Sequence, residues 1–131
     1  MIVDSSAIIA ILRDEPERAE LARALVERGG ARISAPTYVE TAAVVDRVGD
    51  PVLSRRLNEL LNVAGIETVA FDANHAALAR AAYADFGHGS GHPARLNLGD
   101  CFSYALAKAN DEPLLFVGQD FMHTDLRSAM D

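Results

Sequence analysis

Four acids stand where an apolar run gives way to a turn or a new helix: Asp4 after Met1-Ile2-Val3, Glu40 in Thr37-Tyr38-Val39-Glu40, Asp100 in Leu98-Gly99-Asp100, and Asp120 after Phe116-Val117-Gly118-Gln119. Carboxylates that gather repel one another and raise one another's pKa. An ionised set therefore needs a cation, and hard oxygen ligands suit Mg²⁺ or Mn²⁺. Each acid also has a purely structural reading. Asp4 and Asp100 can cap the helices that follow them, and Thr37 with Glu40 fits the capping-box spacing. Glu40 is the most informative, because Tyr38, Val39, Ala42, Ala43, Val44 and Val45 leave little polar face and imply a largely buried helix, in which a carboxylate needs a partner. Asp100 is followed at once by Cys101, Phe102, Tyr104, Ala105 and Leu106, with Ser103 and Tyr104 on its own helical face.

These acids matter only if the chain brings them together. Residues 1–4 read as a short buried strand and 5–12 as a helix capped by Asp4, Ser5 or Ser6. Asp14, Glu15 and Pro16 open a second helix that ends near Arg28, before Gly29 and Gly30. Residues 32–35 form a second strand, 37–48 a helix, and Pro51 restarts a helix to about Ala64. A third strand at 67–71 meets Asp72, read as the cap of a helix over 74–86. Residues 87–98, with Gly87, Gly89, Gly91 and Pro93, form a mobile loop before a helix that starts at Gly99 or Asp100 and ends at Asn110. A fourth strand spans 114–117, and 121–131 is irregular or a short helix. Short apolar strands separated by helices imply βαβ units and a parallel sheet covered on both faces, hence an α/β fold. Right-handed crossovers place the strand-to-helix junctions, and with them the acids, along one sheet edge.

A chain of 131 residues, 50% hydrophobic and 24% charged, fits a single domain over residues 1–131. No apolar run reaches the roughly 20 residues of a membrane span, no signal sequence is visible, and the single Cys101 permits no internal disulfide, so a cytoplasmic location is expected. The net charge of −7 argues against a protein that coats nucleic acid through a basic face. Lys108 is the one lysine among twelve basic residues. Arginine, the rest of that set, is the better fork for phosphates.

The opening Ile2-Val3-Asp4-Ser5-Ser6-Ala7, then Tyr38-Val39-Glu40-Thr41, Leu98-Gly99-Asp100-Cys101-Phe102-Ser103-Tyr104-Ala105 and Pro113-Leu114-Leu115-Phe116, resemble PIN-domain ribonucleases, above all the VapC toxins of VapBC toxin–antitoxin modules. The resemblance covers essentially the whole chain. It implies a three-layer α/β/α fold with a central parallel sheet of four or five strands, and a Mg²⁺-dependent endoribonuclease, with Mn²⁺ as the other candidate ion. It makes Asp4 and Asp100 the principal metal ligands, Glu40 a third acid of the site, and Ser6 the hydroxyl that supports the first aspartate. The fourth position departs from the family pattern: Asp120, which precedes Phe121, is the choice, with Asp125 as the substitute. The implied reaction is phosphodiester hydrolysis by metal-activated water. The implied partners are RNA, a VapB-like antitoxin seated on the N-terminal helices and residues 37–64, and a second copy of the chain. Arg13, Arg47, Arg55, Arg56 and Arg95 are either holders of flanking phosphates or parts of solvated helix faces.

Other residues have plainer readings. His88 and His92 lie four apart but in a loop, which lacks fixed ligand geometry, so they read as surface histidines; His75 is placed on a helix surface and Cys101 in the core. A strand ending in Asp before a helix also begins haloacid-dehalogenase phosphatases, but those need a second Asp two positions on, where this chain has Ser6. The remaining alternative is a catalytically silent module that binds RNA or protein.

Overall fold

Strands β1 (Ile2–Val3) and β4 (Leu114–Leu115) are completely buried. In this computed structural model, which describes residues 1–131, they join β2 (Arg32–Ser34) and β3 (Glu67–Val69) in one parallel sheet of order β3-β2-β1-β4. Successive strand residues point to opposite faces. Val3 and Leu115 accordingly join a core with Ile8, Leu21, Leu25 and Leu57, whereas Ile2 and Leu114 join one with Ala79, Leu96, Cys101 and Leu106. Helices α1 (Ser5–Leu12), α2 (Arg18–Arg28) and α4 (Pro51–Val63) cover the first face. Helices α5 (Ala73–Phe86) and α6 (Leu98–Asn110) cover the second, which gives the three-layer α/β/α arrangement with four strands. Helix α3 (Ala35–Arg47) packs against α1, α4 and α6. At the opposite sheet edge, Glu112 accepts from the Met1 ammonium at 2.8 Å and also pairs with Arg32.

Several boundaries differ from the sequence expectation for local reasons. Strand β2 stops at Ser34, and α3 opens at Ala35 with Pro36 in its first turn, where a missing N–H costs nothing. Helix α6 starts at Leu98 because Asn97 caps it: its side chain accepts from the Asp100 N–H at 2.8 Å while Asp100 accepts from the Asn97 N–H at 3.0 Å. Helix α2 begins only at Arg18, whose guanidinium reaches back 2.6 Å to Asp14. Strands β3 and β4 end at Val69 and Leu115, short of 71 and 117. Asp72 caps α5 as expected, accepting the His75 N–H at 2.8 Å.

Two burial expectations are overturned. Helix α3 is not largely buried: only Thr37, Thr41 and Val45 are buried, Tyr38 and Ala42 are partly so, and Val39 and Val44 are 62% and 37% exposed. His75 is not on a surface but is buried against Phe71, ring centroids 5.9 Å apart. The glycine-rich segment is also more anchored than a free loop, because its ends pair as a bridge at Gly87 and Leu96, and Ala94 and Leu96 are buried. Cys101 lies in the core. No helix is long and apolar enough to cross a membrane.

Candidate metal centre

Parallel strands deliver their C-terminal ends to one edge, and the site grows from there. Asp4 directly follows β1 and is buried. Its Oδ2 accepts the Ser6 N–H at 3.0 Å, which caps α1, and its Oδ1 accepts the Ser103 hydroxyl at 2.6 Å. One side chain thus caps α1 and also stands close enough to Glu40 and Asp100 for its charge to act on both. Ser6 supports Asp4 through its backbone N–H and not through its hydroxyl, contrary to expectation. The Ser6 hydroxyl instead accepts the Val117 N–H at 3.0 Å, tying the chain beyond β4 to the start of α1.

Glu40 reaches the same edge from α3. The capping-box reading of Thr37 and Glu40 fails, because α3 starts at Ala35 and Thr37 is buried inside it. The Thr37 hydroxyl lies 3.3 Å from that of Ser103, joining α3 to α6 beneath the acids. The Glu40 Oε1 accepts the Ser5 hydroxyl at 3.3 Å. Its carboxylate also rests on Gly99, where a Cβ would stand 2.8 Å from Glu40 Cδ and collide with both carboxylate oxygens. As a residue Glu40 is exposed, but this contact removes water from its head. Desolvation first, then the charge of Asp4, raise its pKa, with the Ser5 hydroxyl partly offsetting them.

Asp100 sits in the first turn of α6, with one oxygen spent on the Asn97 N–H. Burial is the largest influence on its carboxyl; the Asn97 hydrogen bond pulls the pKa down, and the charges of Asp4, Asp120 and Glu40 push it up, to a net value of about 7. That coupling brings all four sequence-predicted acids into one electrostatic group. Asp120 lies exposed in a 3₁₀ turn, Asp120–His123. Asp125, the other candidate, is engaged elsewhere: the Tyr104 hydroxyl donates to it at 2.7 Å and Lys108 at 2.5 Å. Burial pushes the Asp125 carboxyl up, but the bonds from Lys108 and Tyr104 outweigh it and hold the pKa below its usual value.

No three His, Cys, Asp or Glu side chains stand close enough together to enclose an ion as they are. The donor chemistry nevertheless fits a hard divalent cation. It consists entirely of carboxylate oxygen, two of its members have pKa values raised by burial and further by neighbouring acids, and Gly99 leaves room for the Glu40 head. Ser5, Thr37, Asn97, Gly99 and Ser103 are the supporting residues that sequence reasoning did not assign. Only Ser103 had a signal, its position three residues after Asp100. The histidines form no metal pair: the His92 Nδ1 accepts the Ala94 N–H at 3.0 Å, and its ring packs edge-on against Phe86 at 4.9 Å.

A family model described as PIN domain matches residues 1–126. Ribonuclease VapC28 of Mycobacterium tuberculosis is 55% identical over 131 residues, covering 100% of this chain and 98% of the relative. Ribonuclease VapC42 of the same organism is 53% identical over 129 residues, covering 98% of each. Among solved structures, Mycobacterium tuberculosis VapC20, described as a sarcin-ricin loop cleaving toxin, superposes with a TM-score of 0.73 at 14% identity over 95% of both chains. A toxin-antitoxin complex from Klebsiella pneumoniae gives 0.70 at 16% identity, over 95% of this chain and 92% of that one. At such identities the two structures speak for the fold alone.

Proposed function

We propose, from the premise that this chain belongs to the PIN-domain family and to the VapC toxins within it, that it is a metal-dependent endoribonuclease acting as the toxin of a type II toxin–antitoxin pair. The observation that carries the reading is the coupling of Asp4, Glu40 and Asp120 to Asp100, whose carboxyl is pushed up to about 7. Such a group, drawn from four separate elements, is costly to assemble without a cation.

In this reading Asp4, Glu40, Asp100 and Asp120 hold Mg²⁺ or Mn²⁺. When bound, the cation supplies a water of lowered pKa and a positive charge facing the scissile phosphate. The chain's own part is orientation. Ser103 and the Ser6 N–H fix Asp4 from two sides, Asn97 fixes one oxygen of Asp100 and leaves the other free, and Gly99 seats Glu40. The acidic surface does not favour strong nonspecific binding, so RNA shape and unpaired bases select the substrate. A VapB-like antitoxin is expected over the apolar surface where Ile9 of α1 lies beside Val44, Val48 and Leu53, with Arg13 at its border. The reading includes a homodimer and a cytoplasmic location.

The test is cleavage of total cellular RNA by purified, antitoxin-free protein in Mg²⁺, Mn²⁺ or EDTA, beside Asp4→Asn and Asp100→Asn. Discrete fragments that require metal and vanish in both variants are expected. Intact RNA with folded, metal-loaded protein would sink the nuclease reading and leave a binding module.

A further inference from the structure

A cleft of about 410 Å³ opens beside the acids, lined by His88, Arg95, Gln119, Asp120 and His123. Asp120 belongs to both, since its charge is felt at Asp100. The cleft thus runs from the glycine-rich loop to the candidate centre, and its other walls carry a guanidinium, two imidazoles and an amide.

Arg95 stands out among the arginines. Arg18, Arg32, Arg56 and Arg127 are engaged in ion pairs, and Arg28 donates to the Ala129 carbonyl at 3.0 Å. Arg13 borders the apolar surface of α1 and α3, and Arg23, Arg47, Arg55 and Arg80 lie on exposed faces of α2, α3, α4 and α5, away from the acids' cleft. Arg95 has no ion-pair partner in the chain and is the one arginine of this cleft. Its backbone is left-handed, φ 52°, a conformation that L-residues rarely adopt. The neighbours enforce it. Ala94 and Leu96 on either side are buried, His92 accepts the Ala94 N–H, and Leu96 is bonded to both Phe86 and His88 through the backbone. With both neighbours turned inward, the Arg95 side chain is held at the cleft.

We propose that this cleft is an RNA phosphate subsite, in which the Arg95 guanidinium, assisted by N–H donors of His88, His123 and Gln119, grips a backbone phosphate flanking the bond that the acids cut. The ligand class is a phosphodiester of single-stranded RNA, because a planar fork suits two phosphate oxygens and the cleft is open along its length. The inference rests on the RNA-cleavage reading and adds to it the path of the substrate.

The test uses the full chain with Asp100→Asn in every arm, so that the RNA stays intact, and a fluorescein-labelled single-stranded RNA of mixed sequence. Anisotropy titrations over a salt series give the slope of log affinity against log salt, which changes by about 0.7 for each phosphate contact on a single strand. Arg95→Gly, which removes the charge and relieves the left-handed backbone, is expected to weaken binding and to flatten the slope by about 0.7. Arg95→Lys is expected to keep the slope while losing affinity. Equal affinity and slope in Arg95→Gly and its parent, with unchanged thermal midpoints, would overturn the subsite and leave the nuclease reading standing. A parent that binds no RNA, together with a wild-type chain that cleaves none, would overturn both.

Discussion

At the residue scale the site depends on atoms that are not themselves acids. Gly99 is the sharpest case, because the space its missing Cβ leaves is filled by the Glu40 carboxylate. A methyl there displaces the end of a flexible, solvent-facing side chain and not a backbone. Gly99→Ala is accordingly expected to fold with a stability within about 1 kcal/mol of wild type, since alanine is also the better helix former, while cleavage falls by about tenfold or more. Combining it with Glu40→Gln should add little, as both remove the same carboxylate from the site. Full activity in Gly99→Ala, measured on a defined RNA, would show that the seat of Glu40 is immaterial. Ser103 acts on the buried Asp4 through a 2.6 Å hydrogen bond. Ser103→Ala should cost about 1–3 kcal/mol in denaturant unfolding and lower Mg²⁺ affinity about tenfold by calorimetry. That the four acids converge was legible in the sequence, because Asp4, Asp100 and Asp120 follow apolar runs near element junctions and Glu40 interrupts an apolar helix. Gly99 and Thr37 were not, because their roles exist only where α3 meets α6, a contact with no local signature.

At the element scale, helix starts were the least legible feature, and the reason was competition among caps. Thr37 with Glu40 looked like a capping box, yet Ala35 and Pro36 already provide the first turn of α3. Asp100 looked like an N-cap, yet Asn97 takes that position and places Asp100 in the reciprocal role. Burial of α3 was misread because its apolar residues encircle the helix, whereas only Thr37, Thr41 and Val45 are fully buried, with Tyr38 and Ala42 partly so. The parallel sense of the strands was legible from their alternation with helices, whereas their order was not, because alternation alone does not say which strands are neighbours. The end of α5 was also predictable, and it supplies a contrast to Gly99. At Gly87 a Cβ would collide with the Tyr83 carbonyl oxygen and stand 3.0 Å from its carbon, both backbone atoms of the helix's own last turn. In Gly87→Ala the nearest atom is thus backbone and cannot swing aside, and a loss of about 1–3 kcal/mol is expected from thermal or denaturant melting. A melting curve identical to wild type would contradict that account of how α5 closes.

At the scale of the whole molecule, the fold gathers its acids from the end of β1, from α3, from α6 and from the turn after β4, so their repulsion opposes the assembled domain and no single element. Asp100 records this in its pKa, raised from 3.8 to about 7, with burial the largest cause. The sign of the pH dependence follows. Between those two values the folded chain holds a proton that the unfolded chain releases, so metal-free stability is greatest in acid and falls as pH rises through about 7. In EDTA the thermal midpoint should therefore drop between about pH 5 and about pH 8, and Asp100→Asn should flatten that drop. A cation that binds only the folded set stabilises it by mass action and competes with the proton. Added Mg²⁺ should then raise the midpoint more at the higher pH than at the lower, and Asp100→Asn should lose most of that increment even though it is the more stable chain in EDTA. A Mg²⁺ increment of equal size at both pH values would mean that the ion binds elsewhere and that these four carboxylates are not its ligands.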